Sequence, residues 1–263
     1  MKPTGTLTLQ NLGIGYGKQL LFPPFRLDIP PGTFNAVVGA NGAGKSTLLQ
    51  TMAGLRRPLC GRVLMAGRDV ADMSVAERAR CISLTWGDRG VSGALTVARL
   101  VAMGRNPYTG LLGRLSDSDR HIVRRAMVDA GIVHKAACPL ADISDGERQR
   151  ALVARALAQQ TPVMLLDEPT NFLDAAARID ILELIRHLVR RQGLTAIVSG
   201  HDTAAMMERA DNVITLLPDS QPPVSLDPAD SAEANRRLDH IFAHRGIAYD
   251  PATHRFTLRK KSK

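Results

Sequence analysis

A glycine-rich loop between a predicted strand and a predicted helix constrains this chain more than any other feature. The loop reads GANGAGKST over residues 39–47, follows a strand-like run at 34–38 and opens a helix predicted over 45–54. In that context the pattern G-x-x-x-x-G-K-[ST] indicates a phosphate-binding P-loop. Its backbone N–H groups converge on phosphate oxygens, and the helix N-terminus adds positive potential. The predicted binding residues of this loop are Gly39, Asn41, Gly42, Gly44, Lys45, Ser46 and Thr47.

An acidic pair, Asp167-Glu168, follows a buried strand predicted at 163–166. Such a pair is by itself usually a solvated strand end, but beside a P-loop a carboxylate can position Mg²⁺ directly or through water. We therefore predict that Lys45 contacts the β- and γ-phosphates of a nucleotide. Ser46 and Asp167 are the predicted metal residues. Glu168 is the predicted catalytic base, which polarises the water that attacks the γ-phosphate.

The stretch ISDGE at 143–147 resembles the signature sequence of ABC ATPases, which usually reads Leu-Ser-Gly-Gly followed by Gln or Glu. The resemblance implies that Ser144 and the backbone N–H of Gly146 bind the γ-phosphate of an ATP held by another subunit. A helix that begins here would direct its N-terminus at that phosphate. Asp145 departs from the usual glycine, and we expect its carboxylate to point away from the nucleotide. The same residues also fit a capping box, with Glu147 three residues after the Ser144 cap.

Three further residues extend the resemblance to the ABC family. Tyr16 matches the aromatic residue that stacks on adenine, although alone it would be an ordinary turn tyrosine. Asp174, in the sequence NFLD, matches the loop that crosses the dimer interface. His201, in the sequence SGHD, matches the switch histidine that contacts the γ-phosphate, and with Glu168 it completes the predicted catalytic residues.

One feature of the ABC family is missing from the sequence. The family places a glutamine after the strand that here reads as residues 82–85, where it contacts Mg²⁺ and the attacking water. The chain has no glutamine between Gln50 and Gln149, and Gly87 stands in its place with Asp88 beside it. Asp88 or a water molecule would then supply the polar contact.

Residues 93–116 resemble the helical subdomain of bacterial importers for iron–siderophore, haem and cobalamin, with LVAMGRNP at 100–107 as the shared centre. The resemblance implies an ATP-hydrolysing subunit that uses ATP and Mg²⁺ to drive a separate membrane permease. A periplasmic or surface substrate-binding protein would be an indirect partner. Because the chain has one P-loop and one signature, two copies must pair head to tail to complete two ATP sites.

Alternating strands and helices predict an α/β fold with a mainly parallel sheet. The resemblance specifies a RecA-like P-loop NTPase core with an antiparallel N-terminal β part and an inserted helical subdomain at about 87–160. The ATPase domain is expected over residues 1–217. Residues 218–263 are predicted to form a linker, marked by Pro218, Pro222, Pro223 and Pro228, and then a small helix and hairpin.

The net charge of +9 permits an interaction with nucleic acid or with an anionic membrane surface. The cations are dispersed, and aromatic residues do not alternate with them as a stacking platform requires. A soluble ABC ATPase that acts on nucleic acid or ribosomes remains the alternative, but we expect no nucleic-acid partner. Apolar runs are far shorter than the roughly 20 residues of a membrane span, and the N-terminus lacks a signal-like apolar stretch. We therefore expect a peripheral protein at the cytoplasmic face of the bacterial inner membrane.

Overall fold

The structure is a computed structural model that describes residues 5–86, 95–110, 113–243 and 246–258. The strands in these ranges are β1 (Leu7–Gly13), β2 (Gly15–Tyr16), β3 (Gln19–Leu20), β4 (Phe25–Ile29), β5 (Phe34–Gly39), β6 (Cys60–Met65), β7 (Arg68–Asp69), β8 (Ile82–Trp86), β9 (Val163–Asp167), β10 (Thr195–Ser199), β11 (Asn212–Leu216), β12 (Val224–Pro228), β13 (Ile247–Asp250) and β14 (Arg255–Leu258). The helices are α1 (Lys45–Met52), α2 (Val75–Cys81), α3 (Val97–Ala102), α4 (Asp117–Asp129), α5 (Asp145–Ala158), α6 (Ala175–Gln192), α7 (Thr203–Met207) and α8 (Ala232–Ala243).

Two sheets organise the protein. The larger has the strand order β12-β11-β5-β10-β9-β8, and all its neighbouring strands are parallel except the edge pair β11–β12. The smaller, β4-β1-β6-β7, is antiparallel and comes mainly from the N-terminal part of the chain. The predicted α/β class, with a mainly parallel sheet and an antiparallel N-terminal β part, is therefore confirmed.

Side chains of the central strands alternate between two hydrophobic cores. On β9, Val163 and Leu165 pack into the core shared with the antiparallel sheet and α1. Met164 and Leu166 face the other core, which the helices α3 to α8 cover. Because successive residues of a strand point to opposite faces, a strand buried on both faces is apolar throughout, as the run at 163–166 is. The nearly continuous burial keeps the carboxyl end of β9 fixed where the acidic pair emerges.

Of the helical insertion predicted at about 87–160, the structure describes residues 95–110 and 113–160, which contain α3, α4 and α5. Two of these helices begin with a polar first turn, α4 at Asp117 and α5 at Asp145. In both, a serine caps the helix and an acidic residue three positions later closes a capping box, so the polar first turn is helical as well. Across the described ranges, no helix combines the length and apolar character that a membrane span requires.

The prediction of a linker that begins at residue 218 needs a correction. Residues 224–228 form β12, which pairs with β11 at the edge of the main sheet, and Val224 is buried. Proline is compatible with an edge strand because one side of the strand makes no ladder hydrogen bonds, so the prolines here do not exclude a strand. The predicted helix and hairpin after it are present as α8 and β13–β14. The division of the chain at residue 217 stays a prediction.

Candidate nucleotide-binding and catalytic site

The glycine-rich loop connects β5 to α1 and has the backbone conformation that a phosphate cradle needs. Gly42 and Gly44 have φ values of 79° and 93°, in the left-handed region where residues with a Cβ atom are strained. Gly44 is the N-cap of α1, and as a glycine it has no side chain that could accept from the first amides of the helix. The amides of this first turn therefore remain directed at the loop, where a phosphate would accept from them.

Lys45 lies folded back over the loop. Its ammonium donates to the carbonyl oxygens of Gly39 (3.0 Å) and Ala40 (3.2 Å), and its side chain is buried. Burial lowers the pKa of the Lys45 ammonium, while the negative charges of Glu168 and Asp167 oppose that shift. The structure thus brings the P-loop lysine within electrostatic reach of the acidic pair.

Asp167 ends β9 and is held by the neighbouring strand. The hydroxyl of Ser199, at the end of β10, donates to Asp167 Oδ1 at 2.6 Å and accepts from the backbone N–H of Glu168 at 3.0 Å. Since β9 and β10 are parallel neighbours, their carboxyl ends meet at the same edge of the sheet, beside the loop that follows β5. Ser199 was not predicted as a site residue.

The carboxylate of Glu168 is held on both sides. His201 Nε2 lies 2.8 Å from Glu168 Oε1, and the side-chain amide of Asn171 donates to Glu168 Oε2. The backbone of Glu168 is itself left-handed, with φ 52°, which is unusual for a residue with a long side chain and is often found at functional sites. The predicted base and switch histidine are therefore neighbours, and Asn171 is a further contact that the sequence analysis did not identify.

The oxygen donors of this edge fit a magnesium ion that depends on the nucleotide. Ser46 and Asp167 offer one hydroxyl and one carboxylate, and Mg²⁺ commonly takes few protein oxygens beside phosphate oxygens and water. Within the described residues there is no cluster of three or more His, Cys, Asp or Glu side chains that could hold a metal alone. Phosphate oxygens of a nucleotide and water would supply the remaining ligands of a metal held by Ser46 and Asp167.

Tyr16 lies on the hairpin β2–β3 and connects to the P-loop. Its hydroxyl is 2.8 Å from the hydroxyl of Thr47, while 55% of the residue is exposed. The guanidinium of Arg56 lies over the ring, 4.4 Å from its centroid. The tyrosine is therefore fixed at the edge of the loop, with Arg56 on one face of its ring and more than half of the residue exposed.

The structure does not bring the signature residues and Asp174 to this cluster. Ser144 caps α5, accepts from the Glu147 amide at 3.2 Å, and belongs to the helical insertion, so the capping box is real. Asp174 caps α6 and accepts from the Ala177 amide. Among the described residues, no hydrogen bond or ion pair joins Ser144, Gly146 or Asp174 to the P-loop or to Glu168. Gly87 and Asp88, the positions of the missing glutamine, lie outside the described residues.

The C-terminal helix also reaches the site. A small cavity of about 150 Å³ is lined by Asn41 of the P-loop, by His201, and by Ile241 and Phe242 of α8. The amphipathic pattern predicts α8 as a helix, but it gives no information about which part of the core the helix covers.

A P-loop and an acidic pair, both at the carboxyl edge of a parallel sheet, define a P-loop nucleoside triphosphatase. Comparison with known proteins gives the family. The ABC transporter family profile matches residues 22–171. The iron(3+)-hydroxamate import ATP-binding protein FhuC of Bacillus subtilis is 38% identical over 197 residues, which cover 75% of this chain and 73% of that protein. The ferric enterobactin transport ATP-binding protein FepC of Escherichia coli is 40% identical over 207 residues, covering 79% and 76%.

A solved structure agrees with these relatives. The inward-facing conformation of a putative metal-chelate type ABC transporter superposes with a TM-score of 0.78 at 25% identity, covering 96% of this chain and 95% of that one. The chain belongs to the ABC transporter family. It is an ATP-binding subunit with the ATPase activity of that family.

Replacing Tyr16 tests its predicted contact with adenine. We expect Tyr16→Ala to weaken ATP binding by about tenfold or more, because stacking of a base on an aromatic ring contributes about 1–3 kcal/mol. Tyr16→Phe should bind ATP nearly as well, since it keeps the ring and loses only the hydroxyl contact with Thr47. Fluorescence titration with a labelled ATP measures both. Equal losses in the two variants would assign the effect to the hydroxyl instead.

Proposed function

We propose that this protein is the ATP-hydrolysing subunit of an importer that takes up an iron chelate or cobalamin through a separate membrane permease. The observation that supports it best is the arrangement of Lys45, Asp167, Glu168 and His201 at one sheet edge in a chain related to siderophore-import ATPases. ATP binds the P-loop, with Tyr16 under the adenine and Lys45 on the β- and γ-phosphates. Ser46 and Asp167 would hold Mg²⁺, which would supply positive charge beside the phosphates.

Hydrolysis depends on the position of Glu168. The Asn171 and His201 contacts fix its carboxylate at the end of β9, where it orients a water for attack on the γ-phosphate and accepts its proton. In this role His201 turns from Glu168 to the γ-phosphate once ATP is bound. Positioning and charge stabilisation supply most of the catalysis in phosphoryl transfer.

The composite sites require two copies of the chain. Ser144 and the Gly146 amide lie at the N-terminus of α5 with no bond to the P-loop of their own subunit within the described ranges, so they are available to a nucleotide held by a partner. Asp174 lies two residues after Phe172, which is 67% exposed and has a left-handed backbone, φ 64°. A large exposed aromatic residue in this loop fits burial against a second copy. We therefore propose a head-to-tail homodimer that closes on two ATP molecules.

The permease would contact the helical insertion. Met103 and Tyr108, in the turn after α3, are 43% and 37% exposed, and Trp86 at the end of β8 is 41% exposed. Exposed apolar side chains of this size are candidates for a protein interface. The cargo itself would be delivered to the permease by a substrate-binding protein. In this proposal the ATPase stays on the cytoplasmic face of the membrane.

The test is ATP hydrolysis by the purified protein, alone and with a candidate siderophore permease in lipid vesicles. We expect the permease to raise the rate severalfold. Met103→Glu should lose most of that stimulation and keep the basal rate, because a charge at an apolar interface opposes docking. Val128→Glu, an equally drastic change at an exposed site on α4, is the matched control. A rate raised by DNA or RNA and indifferent to any permease would contradict the proposal.

A further inference from the structure

A second cavity lies between the end of α1 and the antiparallel sheet, apart from the residues of the P-loop. It measures about 450 Å³, within the range of small-molecule sites. Four arginines line it: Arg56 and Arg57 from the segment after α1, Arg62 from β6 and Arg78 from α2. Four positive side chains from three separate segments thus converge on one concavity.

The contacts that these arginines make are with uncharged groups. Arg62 donates to the side-chain oxygen of Gln10 at 2.8 Å, and Arg78 donates to the Met73 carbonyl at 3.3 Å. Arg56 lies over the Tyr16 ring, and Arg57 is exposed. In the part of the chain that the structure describes, no carboxylate forms an ion pair with any of the four.

The acidic residues near the cavity are engaged elsewhere. Asp69, which also lines it, accepts from the Ala71 amide at 2.9 Å and caps the turn that follows. Glu77 is paired with Arg68 at 2.7 Å and closes the capping box of α2. Asp69 is the one carboxylate among the described lining residues, so it offsets one of the four positive charges and the cavity keeps an excess of positive charge.

The lack of a side chain at Gly54 lets Arg78 lie close to the backbone in the wall of the cavity. At Gly54, with φ 68°, a Cβ would come within 2.7 Å of the Val70 side chain and 2.8 Å of Arg78 Cδ. A larger residue there would push Arg78 out of its place along the wall. Guanidinium groups bind phosphate through paired N–H donors, and several around one concave site suit an anion with more than one phosphate group.

We propose that this cavity binds a compact soluble anion carrying two or more phosphate groups, such as a pyrophosphate or the diphosphate of a nucleotide. The ligand neutralises repulsion among the four arginines, which is strongest where like charges share a low-dielectric concavity. A small ligand suits the site better than an acidic protein segment, because the positive charge is gathered in one concavity of limited volume. The site is separate from the ATP site and touches it through Arg56.

Calorimetric titration of inorganic pyrophosphate into the full chain, saturated with ADP and excess Mg²⁺, tests the proposal. ADP then occupies the P-loop, and we expect one pyrophosphate to bind per chain. Arg57→Gln and Arg62→Gln should each weaken this binding by about tenfold, since each removes a charge-assisted contact. Arg190→Gln, the same change at an exposed position of α6, should bind like the wild type.

Two further measurements, on Lys45→Ala and with ADP as the titrant, identify the site and its ligand. Lys45→Ala should keep the pyrophosphate site, because the lysine belongs to the P-loop and not to this cavity. A second ADP per chain, sensitive to Arg57→Gln, would identify a nucleotide as the ligand, whereas pyrophosphate binding without it would identify an inorganic one. If neither a pyrophosphate nor a second ADP binds per chain, or if Arg57→Gln and Arg62→Gln leave the binding unchanged, the proposal is overturned. Unchanged thermal midpoints would show that the variants are folded.

Discussion

Glu168→Gln should lower the steady-state ATPase rate at least about a hundredfold and leave ATP binding intact. Glutamine has nearly the shape of glutamate, and its amide oxygen can still accept from Asn171. It cannot take a proton from the attacking water, and general-base catalysis contributes roughly 10²- to 10⁴-fold to a rate. Phosphate release at saturating ATP measures the loss, and ATP affinity measured in parallel shows that the P-loop is intact.

The second effect of Glu168→Gln is on assembly. With hydrolysis blocked, the proposed head-to-tail dimer would keep ATP between the P-loop of one subunit and the signature of the other, so the variant should form a stable dimer with ATP in light scattering. Glu233→Gln, at an exposed glutamate of α8, is the control and should hydrolyse ATP normally. A rate within tenfold of the wild type, together with inactivity of His201→Ala, would move the role of base from Glu168 to another group.

The parts of the site that consist of consecutive residues can be predicted from the sequence. The P-loop combines a strand, a glycine-rich turn and a helix start in one stretch. Each of these parts favours particular residue types, and the sequence contains them. The acidic pair is recognisable for a similar reason, since Asp167 follows an apolar run that predicts a buried strand. These features need no knowledge of how distant segments pack.

The contacts that cannot be predicted from the sequence depend on which elements are neighbours in the fold. Ser199 holds Asp167 because β10 lies beside β9 in the sheet, although 32 residues separate the two side chains in the chain. Likewise, the prolines at 218, 222, 223 and 228 predict a linker, and the pairing of residues 224–228 with β11 makes β12 a strand. Ile241 and Phe242 of α8 reach the P-loop for the same kind of reason. Periodicity predicts an element, but the partner of that element is a tertiary property.

The segment LVAMGRNP, which indicated the importer branch, has a structural role that the sequence did not reveal. Gly104 packs so closely on α5 that a Cβ would lie 2.3 Å from the Arg155 carbonyl oxygen. Arg105 is buried, with Nε 2.8 Å from Asp119 Oδ1 and Nη1 2.8 Å from the Ala158 carbonyl oxygen. Its guanidinium lies 3.9 Å from the Tyr108 ring centroid. This arginine therefore connects α3, the start of α4 and the end of α5.

Arg105→Met should destabilise the protein by roughly 3–5 kcal/mol, the usual cost of removing one partner from a buried ion pair. Methionine fills part of the volume, but it leaves the Asp119 carboxylate without its cation and the Ala158 carbonyl without its donor. Because folded proteins are stable by only about 5–15 kcal/mol, urea denaturation should show a large fall in the midpoint. Arg120→Met removes an exposed ion pair with Asp117 on the same helix, and should cost less than about 1 kcal/mol.

Acid should reduce the difference between Arg105→Met and the wild type. Hydrogen bonds from Ser116, and then the Arg105 side chain, hold the pKa of Asp119 below its usual value. A carboxylate with a lowered pKa stabilises the folded state above its unfolded pKa of about 3.9, and that stabilisation is lost as the pH falls through the folded pKa. The variant lacks the Arg105 part of this stabilisation at every pH, so the two proteins should converge below about pH 4. A difference that stays constant from pH 7 to pH 3 would instead assign the effect of Arg105 to packing and to its carbonyl contact, because neither of those changes with the ionisation of Asp119.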